Sequence, residues 1–120
     1  VLLLGNILQQ DIPKYLKISD VFVRPSLSEG LGNSFLEAMA AGIPILGTPV
    51  GGIPDFLQDG KTGLFVKIKN PESIADKAEL LFKDESLRQK IIINAKNLVI
   101  KKYNWDNIAA KMKIIFEKLL

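Results

Sequence analysis

Short apolar runs alternate with longer amphipathic stretches through the first part of the chain, and amphipathic stretches fill the rest. Val1–Leu4 is an apolar run closed by Gly5-Asn6, a turn signal, and predicts a first strand. Pro13 to Ser19, with Tyr15, Leu16 and Ile18 as its apolar positions, predicts a short helix. Val21–Val23 predicts a second strand, stopped by Pro25. Ser34 to Ala41 reads as a helix, with Gly42 just past its end and Pro44 beyond. Pro44–Thr48 predicts a third strand, Ile53–Leu57 a single helical turn, and Gly63–Val66 a fourth strand.

Helical spacing then takes over. Asn70-Pro71-Glu72 has a capping side chain, a proline for the first turn and an acid near the positive helix end. Ile74, Ala78, Leu81 and Phe82 share one face of the helix that follows. Asp84 caps a second helix, with the stripe Leu87, Ile91, Ala95 and Leu98. Asn104 caps a third, where Ile108, Met112, Ile115, Phe116 and Leu119 recur at helical spacing. All three stripes are expected to pack on a core.

Short buried strands separated by helices imply an α/β fold, a Rossmann-like parallel sheet flanked by helices. Ligands on such sheets bind beyond the C-terminal strand ends. The segment after Val23 lies at one of those ends.

Composition narrows the chemistry. The 120 residues suit one small domain or part of a larger one. Because the chain starts at Val1 rather than Met, it is expected to be a fragment. It has no cysteine, so disulfides and thiolate metal sites are excluded; this fits a reducing, cytoplasmic setting. It has no histidine, which removes imidazole metal ligation and triad chemistry. No metal or other cofactor is expected, and no nucleic-acid partner. The longest uncharged run, Ala38–Pro54, holds three prolines and is too short to span a membrane.

The net charge of +3 is uneven. Residues 1–82 carry seven Lys/Arg against nine Asp/Glu, whereas residues 83–120 carry nine against four. Lys96, Lys101, Lys102, Lys111, Lys113 and Lys118 belong to this basic tail. A solvated face is the simpler reading. Peripheral contact with an anionic membrane is the alternative.

The chemistry concentrates in Glu29-Gly30-Leu31-Gly32-Asn33-Ser34. Its glycines let the backbone approach a ligand closely and take dihedrals closed to other residues. The loop feeds a helix whose first amides lack intrahelical acceptors, a setting that favours phosphate. Phe35 stands where a dinucleotide fingerprint needs a third glycine, and no Gly-Lys-Ser/Thr is present. For Glu37 two readings stay open: a capping box with Ser34, or, with Asn33 as the cap, a carboxylate free for a ligand. Glu29 precedes the loop, either as a surface acid in a turn or as an acceptor for ligand hydroxyls. Acids on both flanks of a phosphate cradle suit a nucleotide sugar, with ribose on one side and hexose on the other.

The stretch RPSLSEGLGNSFLEAMAAGIPILGTPVGGIPDFLQDGKTGLFV resembles the C-terminal domain of retaining glycosyltransferases of family four, the group-one set with the GT-B fold. Glu29 and Glu37, with seven residues between them, match the pattern P-S-x-x-E-G-x-G-x-x-x-x-E-A-M-A-x-G-x-P. The V-G-G-x-P and D-G-x-x-G stretches follow in order, and the resemblance extends to Leu120. It implies that Glu37 holds the ribose hydroxyls of the donor nucleotide and that Glu29 sits against the donor sugar at the reaction centre. It implies that the amides of Gly30, Leu31 and Gly32 contact sugar hydroxyls, those of Asn33 and Ser34 the diphosphate, and the main chain of Ile7 the base. Sugar would pass from a nucleotide-diphosphate donor to an acceptor, such as a polysaccharide or lipid precursor, held by a missing N-terminal domain. Two departures stand out: many relatives have proline where Ser34 stands, and the basic pair that grips the diphosphate lies upstream of Val1. Arg24 does not match that pair. On this reading the isolated chain binds donor weakly and transfers no sugar. A non-catalytic nucleotide-binding or interaction module on the same scaffold is the alternative function; a related epimerase would need acid/base groups not found here.

Overall fold

Ile45 and Leu46 are neighbours on one strand, both fully buried, yet they belong to different hydrophobic clusters. Successive strand side chains point to opposite faces, so this strand must lie in a sheet covered on both sides. The computed structural model, which describes residues 1–120, has that arrangement. Three parallel strands, β1 (Phe22–Arg24), β2 (Ile45–Gly47) and β3 (Leu64–Phe65), lie side by side in chain order. Arg24 pairs with Gly47 and Gly47 with Phe65, so the three strands end level with one another.

One layer comes from α1 (Ile12–Lys17) and α2 (Asn33–Ala41). Leu16, Phe35, Ala38 and Met39 of these helices pack with Ile45, Ile53, Phe56 and Leu57. The other layer comes from α3 (Pro71–Lys83) and the first half of α4 (Glu85–Lys102), whose Leu81 and Ile91 meet Leu46, Leu64 and Val66. Ala95, one turn further along α4, joins the first cluster, so α4 ties the two layers together. The expected parallel α/β architecture is therefore present.

All three expected side-chain caps form. Asn70, Asp84 and Asn104 accept from the amides of Ser73, Leu87 and Asp106 at 2.7, 2.9 and 2.7 Å. β2 and β3 are shorter than their expected runs, and β1 is shifted by one residue to end at Arg24, because only residues with a laddered neighbour hold strand geometry. Ile53–Asp55 forms a 3-10 turn where a helical turn is expected.

Three expectations fail. Val1–Leu4 is not a strand: these residues are exposed and β1 is left as a sheet edge. An apolar run becomes a strand only when its N–H and C=O groups find a neighbouring ladder. The stripe of α5 (Trp105–Leu119) does not enter the core. Met112, Ile115, Phe116 and Leu119 are all exposed, and Ile108 is half-buried, because α5 packs mainly against α4, beyond both layers. Phe82 likewise points outward on α3. No helix is long and apolar enough to cross a membrane.

Two loops beyond the strand ends hold each other. Thr48, fully buried just after β2, donates its hydroxyl to the Ser26 carbonyl after β1. Thr48→Val keeps the shape and removes that bond. It is expected to lower the unfolding free energy by about 1–3 kcal/mol, the cost of a buried carbonyl left without a donor. A urea unfolding curve with an unchanged midpoint would contradict this.

Candidate functional site

Beyond Arg24 the chain runs through residues 25–32 into α2. Gly32 takes the N-cap position at φ +75°. A Cβ there would meet the Phe35 ring at 3.0 Å, so both dihedral and space select glycine. Phe35 explains the crowding. Its fully buried ring meets Phe22 of β1 edge-on at 5.2 Å and Phe56 at 5.6 Å, which pins the first turn of α2 to the sheet.

The cap decides between the two readings of Glu37. Gly32 has no side chain to cap with, Asn33 and Ser34 are the first two helical residues, and the capping box does not form. Glu37 lies a turn into the helix, exposed, with no hydrogen bond or ion pair to the rest of the chain. It borders two cavities. One, of 410 Å³, lies between α1 and α2 and is lined by Gln9, Ile12, Leu16 and Lys17. The other, of 540 Å³, is lined by Leu31, Asn33, Tyr103 and Trp105. Ile7 is half-buried in the segment before α1 and lines neither. Gln9 borders both cavities, together with Glu37.

Between the two acids the backbone is open. The amides of Gly30, Leu31, Gly32, Asn33 and Ser34 donate to no carbonyl of the chain; the first amide of this turn to do so is that of Phe35, to the Gly32 carbonyl at 2.9 Å. Five consecutive N–H groups therefore have no protein acceptor where β1 ends and the positive end of α2 begins.

A second loop shapes this one. The Gly52 amide donates to the Gly30 carbonyl at 3.0 Å. A Cβ on Gly52 would come within 2.6 Å of that carbonyl oxygen, and one on Gly51, at φ +54°, would overlap the carbonyl oxygen of Glu29. The glycine pair after β2 thus lets the two loops touch backbone to backbone.

Glu29 is held by its own neighbours. Arg24 Nη2 lies 3.1 Å from Glu29 Oε2, and the Ser26 hydroxyl donates to the same oxygen at 3.1 Å. Arg24 Nη1 donates to Ser34 Oγ at 2.7 Å. The Glu29 side chain retains only 13% of its exposure, and Oε1 has no protein partner. Arg24 is a site neighbour that motif reading passed over. Its place at the end of a strand, just ahead of the loop, was the available signal. Gln9 carried no signal at all, since only the packing of α1 against α2 brings it to Glu37.

A parallel sheet covered by helices on both faces, with a loop of unpaired amides beyond its strand ends, defines a Rossmann-like α/β domain. The family model for glycosyl transferases group 1 matches residues 1–98, and the chain belongs to that family. It is 35% identical over 120 residues to N-acetyl-alpha-D-glucosaminyl L-malate synthase of Bacillus anthracis, covering all of this chain and 31% of that protein. It is 32% identical over 115 residues to the GDP-mannose-dependent alpha-(1-6)-phosphatidylinositol monomannoside mannosyltransferase of Mycobacterium tuberculosis, covering 90% of this chain and 30% of the relative. Among solved structures it matches the C-terminal domain of the group 1 glycosyl transferase LpcC of Francisella tularensis, with a TM-score of 0.76 and 33% identity. That match covers 88% of this chain and 53% of the LpcC chain. The chain spans about three tenths of the length of the curated relatives it matches.

Proposed function

We propose that this chain is the donor-binding part of a retaining glycosyltransferase that takes a hexose from a nucleotide-diphosphate sugar. The observation that carries the reading is the run of five unpaired amides, Gly30 to Ser34, between an anchored Glu29 and an unpartnered Glu37. Amides fixed at a helix start suit a diphosphate and stabilise the charge that grows on it as it departs. Glu37 would take the ribose hydroxyls and Glu29, through Oε1, a hydroxyl of the sugar. The M. tuberculosis relative is named for its dependence on GDP-mannose, which supports a nucleotide-sugar donor.

In this scheme the departing phosphate accepts the acceptor's proton on the face where the new bond forms, and the anomeric configuration is kept. Nothing in the scheme calls for a metal. The acceptor, a polysaccharide or lipid precursor, would be held by a preceding domain, with the work done on the cytoplasmic side. The isolated chain is then expected to bind nucleoside diphosphate weakly and to transfer no sugar.

The test is a thermal-shift panel of UDP, GDP and ADP on the full-length protein, followed by titration calorimetry of the best ligand. One nucleoside diphosphate is expected to raise the melting temperature in a dose-dependent way, because a ligand bound only to the folded state stabilises it. No shift with any of the three, in a folded protein, would refute the reading.

A further inference from the structure

Arg24 makes two contacts that a solvated strand-end arginine would not need. One arm of its guanidinium meets Glu29 Oε2 at 3.1 Å, and the other donates to Ser34 Oγ at 2.7 Å. The fork therefore joins the acid before the amide loop to the first turn of the helix after it. A planar guanidinium holds two partners in a fixed relative geometry, which the single charged point of lysine does not. Ser34 is what makes the second arm possible, because proline at that position would offer no acceptor.

The partners are unequally exposed. Arg24 keeps 47% of its side-chain exposure and Glu29 only 13%. Such a pair contributes little to folding. Its effect is on orientation. Arg24 and Ser26 both donate to Oε2, which restrains the carboxylate and leaves Oε1 without a protein partner. The same fork ties Glu29 to α2 through the Ser34 hydroxyl.

We infer that Arg24 is a positioning residue for sugar transfer: it fixes the orientation of the Glu29 carboxylate and ties that carboxylate to the first turn of α2. This rests on the reading of Glu29 proposed above. Arg24 acts through Glu29 and Ser34, so it should influence the chemical step more than the binding of nucleotide.

The experiment uses the full-length enzyme carrying Arg24→Gln, Arg24→Lys, Glu29→Gln and the double variant Arg24→Gln/Glu29→Gln. Arg24→Gln is expected to lower kcat about tenfold, the scale of one lost charge-assisted hydrogen bond, and to leave the Kd for nucleoside diphosphate within about twofold. Arg24→Lys should recover part of kcat, because charge returns without the fork. The double variant should be no worse than Glu29→Gln alone. Melting temperatures should be nearly unchanged in every variant containing Arg24→Gln. Losses that multiply in the double variant, or a nucleotide Kd that rises in proportion as kcat/KM falls, would overturn the proposal. A crippled Glu29→Gln beside a fully active Arg24→Gln overturns this inference alone. A fully active Glu29→Gln overturns the reading of Glu29, and the inference with it.

Discussion

Gly51→Ala in the full-length enzyme is expected to lower kcat/KM by about a hundredfold, the scale of a misplacement near 1 Å at a reacting centre. Gly51 has φ +54°, and an added Cβ would overlap the carbonyl oxygen of Glu29. That atom is backbone, so no rotamer change relieves the clash and the 29–31 loop must move. The move carries Glu29 with it and strains the contact between Gly52 and Gly30. Gly60→Ala separates this effect from simple backbone strain. Gly60 also has positive φ, at +69°, but a Cβ there meets nothing within 4 Å. Each variant bears the left-handed penalty, about 1–3 kcal/mol of stability, and only Gly51→Ala should lose turnover. Equal activity in the two would mean that the strut between the loops does not matter for catalysis.

Glu37→Ala is expected to weaken donor binding by about tenfold to a hundredfold, the equivalent of roughly 1.5–3 kcal/mol for a charge-assisted hydrogen bond. Its structure makes the test clean. Glu37 makes no hydrogen bond or ion pair within the chain, and it is exposed on a regular helix turn. Removing it should change folding stability by no more than about 0.5 kcal/mol, and alanine is the better helix former. Calorimetric titration of the full-length protein with the nucleoside diphosphate that raises its melting temperature most gives the answer directly. An unchanged Kd in the folded variant would leave Glu37 without a ligand role.

Much of this molecule was legible before any coordinates. The layering followed from run length and period, because strands buried on both faces leave no polar alternation. The caps at Asn70, Asp84 and Asn104 were legible because each acts within three residues of itself. The loop from Glu29 to Ser34 was legible for the same local reason: glycines ahead of a helix start leave amides open.

What escaped was set by partners distant in the chain. Val1–Leu4 has the composition of a strand but pairs with no neighbouring strand. The stripe of α5 has the period of a core helix, yet period reports only that a face is apolar and not that anything covers it. The Ser34-x-x-Glu37 pattern fits a capping box, but Gly32 takes the cap, because the buried Phe35 ring fixes where the helix can begin.

Sequence alone determined the fold class, the family resemblance and the loop of open amides ahead of α2, since these rest on spacing and on glycine's conformational freedom. Only the tertiary structure decided that Glu37 is free, that Arg24 holds Glu29, that Gln9 stands beside Glu37, and that Gly51 and Gly52 brace the loop from behind. Each of those facts joins residues from separate turns or strands, and a pairing across space is created by packing rather than by the order of residues along the chain.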